Sequence, residues 1–136
     1  MKDIRHHLEP VKASAADAMP VQIFVFLAVA VLYVANRFFL KGLLSGTPLG
    51  PFFIGYFNDL LAPSALLSLA NIVFALRGFQ TTKPLFVILA TALAGVCWEF
   101  LAPAFNPASV TDPLDLLVYF AGAFLYLALL GLLSRR

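Results

Sequence analysis

Apolar residues run through this chain in four long blocks, separated by short polar or proline-rich breaks. A helix rises about 1.5 Å per residue, so a hydrocarbon layer about 30 Å thick takes roughly 20 apolar residues to cross. Four segments meet that length: residues 21–39, 52–76, 84–101 and 113–133. Pro20 stands just ahead of the first, where a missing backbone N–H costs nothing. Residues 46–51 form a turn-rich link and residues 77–83 a short polar one. Pro103 and Pro107 are expected to stop the third helix, and Pro113 to begin the fourth. The pattern therefore predicts an all-α membrane protein, a four-transmembrane-helix bundle. Residues 1–20 form a polar leader and residues 21–136 a single membrane domain. Ala28-Val29-Ala30 looks like a signal-peptide cleavage site, but Asp3, Glu9 and Asp17 do not suit a basic leader, so a retained helix is expected.

Composition agrees with the pattern and narrows the class. The 136 residues are 62% hydrophobic and 12% charged, against roughly half apolar and a quarter charged in a soluble domain. A domain of this size buries only about two-thirds of its surface and could not hide so much apolar material from water. An ordinary soluble enzyme, a nucleic-acid binder and a disordered tail are excluded. Cys97 is the only cysteine, and both histidines, His6 and His7, lie in the leader. No intrachain disulfide and no Cys/His metal framework can be assembled, and no cofactor is implied.

Charge then supplies an orientation. Lys2, Arg5 and Lys12 precede the first helix, Arg77 and Lys83 join the second to the third, and Arg135 and Arg136 close the chain. Four spans put all of these on one side and only Arg37 and Lys41 on the other, so both termini are expected in the cytoplasm. Six charges then remain, all toward the extracytoplasmic ends of the helices: Arg37, Lys41, Asp59, Glu99, Asp112 and Asp115. Charges in a bilayer usually face the bundle interior or a watery cavity. A helix starting at Phe52 would place Asp59 about 10 Å below the outer surface. The inner half of the bundle is expected to be almost purely apolar.

Spacing suggests that these groups converge. Asp112, Asp115, Tyr119, Gly122 and Tyr126 recur at intervals of three and four, as one helical face does. Thr91, Gly95 and Glu99 do so on the third helix, and Tyr33, Arg37 and Lys41 on the first. Asn58-Asp59 lies one turn before Pro63, which frees a carbonyl and can kink the helix. Each feature has a plain structural reading beside the functional one. Asp112-Pro113-Leu114-Asp115 also reads as a helix cap, and Arg37 and Lys41 also read as snorkelling anchors or ion-pair partners. Ser64, Ser68 and Asn71 form a separate stripe, read as interhelical hydrogen-bonding glue. Four carboxylates facing two cations would welcome protons, a metal or a cationic ligand. The functional cluster is therefore Arg37, Lys41, Asn58, Asp59, Glu99, Asp112, Asp115 and Tyr119, and any metal would fall to Asp59, Glu99, Asp112 and Asp115.

Trp98-Glu99-Phe100, followed by Thr111-Asp112-Pro113-Leu114-Asp115 and Gly122, resembles the VanZ-like family of small bacterial integral membrane proteins. The resemblance covers roughly residues 95–126. It implies a multi-pass protein of the bacterial inner membrane, near envelope chemistry, with Glu99, Asp112 and Asp115 as its functional residues. The family's namesake is associated with low-level teicoplanin resistance. The expected function is a polar outer-leaflet pocket that binds an envelope lipid or a cell-wall-directed, glycopeptide-like molecule, with membrane lipids as its other partners. Three further classes stay open: a structural or assembly subunit, a metal-assisted enzyme on a lipid-linked substrate, and a small transporter subunit, for which a homo-oligomer would build the path.

Overall fold

The computed structural model describes residues 3–105 and 112–133, without a strand among them. Helix α1 (Asp3–Ala35) runs on through a π-helical turn at Asn36–Leu40 into Lys41–Leu44. A short helix, α2 (Gly50–Gly55), leads to α3 (Phe57–Leu76). Helix α4 (Pro84–Val96) likewise continues through a π turn, Cys97–Leu101, into Ala102–Phe105, and α5 is Pro113–Leu133. Four stretches, Ala18–Leu44, Phe57–Leu76, Pro84–Leu101 and Pro113–Leu133, are long and apolar enough to cross a membrane. The chain is an all-α, four-helix, multi-pass membrane protein.

Two helix boundaries depart from expectation. The second span begins at Phe57 rather than at residue 52, because α2 forms first and ends at Gly55. Its start is a tight return: a Cβ on Gly50 would lie 2.7 Å from the Leu44 carbonyl and 2.8 Å from that of Ser45. Phe52, Phe53 and Phe57 pack ring against ring around the corner, with centroids 4.8 to 5.9 Å apart. Asp59 consequently sits in the first turn of its span, not two turns deep. The third helix does not stop at Pro103 but continues to Phe105. A π turn, Cys97–Leu101, lies just before Pro103, and π turns and prolines both interrupt the regular hydrogen-bond ladder of a helix. Pro107 lies outside the described residues.

At the other end of α3, Gly78 has φ 78°, the left-handed cap that glycine adopts without strain. Gly78 N–H donates to the Ala75 carbonyl and Phe79 N–H to that of Phe74, at 2.9 and 3.2 Å, which ends the helix in a Schellman turn.

Helix α3 packs broadly against both α1 and α5, and α4 packs against α5, whereas α3 and α4 barely touch. Glycine sets the closest approach. A Cβ on Gly122 of α5 would fall 2.1 Å from the Leu60 carbonyl oxygen and 3.3 Å from Pro63 Cδ on α3. Ser64 Oγ donates to the Gly122 carbonyl across the same seam, at 3.4 Å. Small residues are how membrane helices reach such contact, since lipid tails supply no hydrophobic drive between helices. Gly95 plays the lesser counterpart on α4, where its absent Cβ would meet Leu116 Cδ2 at 2.8 Å.

The half of the bundle away from the acids is not purely apolar. Gln22, Asn71 and Tyr126 are wholly enclosed there. Tyr126 donates its hydroxyl proton to Gln22 Oε1 at 2.8 Å and accepts from Asn71 Nδ2 at 3.0 Å. Asn71 Oδ1 in turn accepts the Thr81 backbone N–H at 2.8 Å. One chain of bonds therefore ties α1, α5, α3 and the α3–α4 link together. The Ser64–Ser68–Asn71 stripe is partly this glue: Ser64 and Asn71 bond across helices, while Ser68 bonds back to its own helix at the Ser64 carbonyl.

Outside, Phe24, Leu27, Val31, Leu85, Leu89, Leu93, Leu117 and Phe124 are exposed, as a lipid-facing surface requires. Gly122→Ala must push backbone from backbone, so it is expected to cost at least ~2 kcal/mol, within the range of core overpacking. A fall in unfolding temperature in detergent checks this, with Gly131→Ala, whose Cβ meets open space, as the neutral control. A double-mutant cycle on Asn71→Leu and Tyr126→Phe should give a coupling of about 0.6 to 1.7 kcal/mol, the span found for polar pairs in membrane proteins.

Candidate functional site

Because α3 and α4 stand apart, a cleft opens between them with α5 as its floor. Its cavity measures about 570 Å³ and is lined by residues of all four spans. Tyr33 comes from α1; Asn58, Asp59, Ala62, Pro63 and Leu66 from α3; Thr91, Ala94, Gly95 and Trp98 from the third span; and Tyr119 from α5. The volume follows from the sequence. Ala62 and Ala94 are small where the two facing helices would otherwise fill the gap.

Each of the two spans that carry a π turn has one buried polar residue in it, Asn36 and Glu99. In α1 Asn36 is wholly buried at the start of the π turn, on the face that Gln22, Val25 and Val29 also share, while Arg37 is exposed and Lys41 half-buried. The expected Tyr33–Arg37–Lys41 stripe is therefore broken, and Arg37 does not join the cleft. Asn36 Nδ2 instead donates to the Phe53 carbonyl at 3.0 Å and to Asn58 Oδ1 at 2.9 Å, which sets the α2–α3 corner beside the cavity. In the third span, Thr91, Gly95 and Glu99 are all buried on one face, as their spacing suggested.

Glu99 is 4% exposed and lies behind the cavity wall rather than on it. Its Oε1 accepts the Tyr119 hydroxyl proton at 3.2 Å and its Oε2 accepts the Asp112 backbone N–H at 3.0 Å. Asp112 Oδ1 accepts the Leu114 N–H at 2.9 Å, the helix-capping bond that the sequence pattern implied. Glu99 thus clamps the third span to the start of α5 and holds Tyr119 at the cavity floor.

Asp59, Glu99 and Asp115 act on one another electrostatically, and the Lys41 ammonium and Tyr119 hydroxyl also act on Asp59. Of the eight expected site residues, Asn58, Asp59 and Tyr119 line the cavity. Glu99 and Asp112 support it, Asp115 and Lys41 contribute charge nearby, and Arg37 faces away. Among the described residues, no group of three or more His, Cys, Asp or Glu side chains is arranged to hold a metal ion. Asp59, Glu99, Asp112 and Asp115 share an end of the bundle without forming a coordination set.

Asn36 and Gln22 gain a place that spacing did not give them, while Tyr33 and Thr91, already on the helical stripes, gain a place on the cavity wall. Asn36 and Gln22 carried the plainest signal, as uncharged amides within apolar runs. Thr91 is 3% exposed, and its hydroxyl has no hydrogen-bond partner among the described residues. Comparison with known proteins gave no match to any family model, curated protein or solved structure.

Removing the Glu99 carboxylate leaves the Asp112 amide and the Tyr119 hydroxyl without their acceptor. Glu99→Ala should therefore destabilise the protein by about 3 to 6 kcal/mol, judged from two charged hydrogen bonds of ~1.5 to 3 kcal/mol each. Glu99→Gln, which keeps an acceptor oxygen, should recover much of that loss in the same thermal-unfolding assay.

Proposed function

We propose that this protein belongs to a bacterial cell membrane and uses the α3–α4 cleft to bind an amphiphile, either an envelope lipid or a cell-wall-directed molecule. In this reading Asp59, Asn58 and Tyr119 receive the polar head, and Ala62, Leu66 and Ala94 accept the apolar part. The supporting observation is the cavity itself: about 570 Å³, lined by a few polar groups, Asn58, Asp59, Thr91 and Tyr119, among mostly apolar side chains. Ligand sites are commonly of this size and are mostly apolar, with a few convergent polar groups. The VanZ-like resemblance at Glu99, Asp112 and Asp115 agrees with an envelope setting. In this fold those residues would position the site rather than touch the ligand.

A structural or assembly role is the second reading, favoured by the Glu99 clamp. Its bonds from the Asp112 backbone N–H and the Tyr119 hydroxyl hold the third span to α5, so part of the acidic cluster stabilises the bundle whatever the cleft does. Metal-assisted catalysis gains no support from the arrangement of the acids. The buried polar groups of the opposite half bond to one another, as a lock does, and give a transport path no support.

Native mass spectrometry of purified protein tests the binding reading. The wild type should retain an amphiphile. Asp59→Asn should lower its occupancy, and Ala94→Trp, which fills the cavity, should abolish it; a tenfold loss of affinity corresponds to about 1.4 kcal/mol. Full retention by Ala94→Trp would sink the proposal. An unchanged unfolding temperature in both variants separates loss of ligand from loss of fold.

A further inference from the structure

The chemistry of the cavity wall narrows the class of ligand. Three aromatic side chains, Tyr33, Trp98 and Tyr119, share that wall with the Asp59 carboxyl group. Tyr33 and Trp98 are 48% and 66% exposed and rim the mouth, whereas Tyr119 is buried on the floor. An aromatic face attracts a cation through its quadrupole, and rings gathered about a carboxylate are a recurrent means of binding an ammonium group. The surrounding charge has the same sense. Asp59, Glu99 and Asp115 act on one another while a single ammonium, Lys41, acts on Asp59.

A second observation points to a ligand independently of charge. Thr91 Oγ1 is buried and unpartnered among the described residues, and Thr91 lines the same cavity. A helical threonine commonly satisfies its hydroxyl on the carbonyl one turn back. A buried hydroxyl without such a bond carries a desolvation cost, which an acceptor group on a bound molecule would relieve. Thr91 lies two turns from Glu99 toward the middle of the span, so that acceptor belongs below the head group.

We infer that the cleft selects a cationic amphiphile, one whose head carries an ammonium group seated among Asp59, Tyr33, Trp98 and Tyr119 and whose carbonyl or ether oxygen meets the Thr91 hydroxyl. This inference rests on the reading of the cleft as a ligand site and adds the sign of the head group and the place of its second polar atom.

Trp98 is the only tryptophan in the chain, so its fluorescence reports on the cavity directly. Full-length protein in dodecyl maltoside is titrated with dodecyltrimethylammonium, lauroylcholine, dodecyl sulfate and lysophosphatidylethanolamine. Both alkyl and acyl cations should change the fluorescence saturably, with dodecyl sulfate at least tenfold weaker. Asp59→Asn should weaken both cations tenfold or more, with Asp59→Glu recovering part of the loss. Thr91→Val should weaken lauroylcholine several-fold and leave dodecyltrimethylammonium unchanged, since only the former has a carbonyl. Competition by lysophosphatidylethanolamine assigns the ammonium to a lipid head group, and its failure alongside retained cation binding assigns it to a free amphiphile. Binding of dodecyl sulfate as tight as that of the cations overturns the inference while leaving a ligand site in place. If no amphiphile of either charge perturbs Trp98 saturably in a protein that elutes as a single folded species, the site itself falls.

Discussion

The contact between Gly122 and the Leu60 carbonyl governs the rest of the bundle. No other residue allows α3 and α5 to meet backbone to backbone, because any Cβ would sit 2.1 Å from that oxygen. Pro63 lies in the same seam and has no N–H to donate to the Asp59 carbonyl one turn earlier. Close approach here brings the start of α3, with Asn58 and Asp59, alongside the turn of α5 that carries Tyr119. Helix α4 also packs on α5 but scarcely touches α3, and the space between α3 and α4 is the cleft. The tight seam and the open site share α3 and α5.

Polar residues divide the bundle into two regimes. At one end, Gln22, Tyr126, Asn71 and Thr81 satisfy one another in a closed series. A fully bonded network of this kind fixes one arrangement of helices, since any partial opening strands a polar group in hydrocarbon. At the other end, Glu99 is bonded into the scaffold, but Thr91 Oγ1 and Asn36 Oδ1 lack partners among the described residues. The first region makes the fold rigid. In the second, Thr91 also lines a cavity that something else can occupy.

The membrane class, the four spans and the cap at Asp112 were legible in the amino-acid sequence because each depends on local pattern. Run length identifies a span, and Asp112-Pro113 is a local start signal. Membership of the site was less legible, for two physical reasons. The buried face of the first span runs through Gln22, Val25, Val29 and Asn36, so its inward polar groups are amides, and the charged neighbour Arg37 falls on the exposed side. Spacing also says which residues share a face but not which helix that face meets. Thr91, Gly95 and Glu99 do lie on one face, yet Thr91 lines a cavity, Gly95 packs on α5 and Glu99 bonds behind the wall. The early start assigned to the second span had a similar cause: Phe52 and Phe53 are apolar enough to count toward a span, but they close a corner.

The exposed rim of the cleft has a kinetic and thermodynamic corollary. Tyr33, Leu66 and Trp98 border the cavity and are also part of the exposed apolar surface, so its mouth opens sideways onto the region that acyl chains fill. A molecule arriving that way is drawn from the bilayer, not from water, and the concentration that matters is its mole fraction among lipids. Each added methylene improves partitioning into that phase by about 0.8 kcal/mol. Apparent potency would then climb steeply with chain length even where the protein grips only the head, and two ligands of equal intrinsic fit could differ a thousandfold in the dose that fills the site.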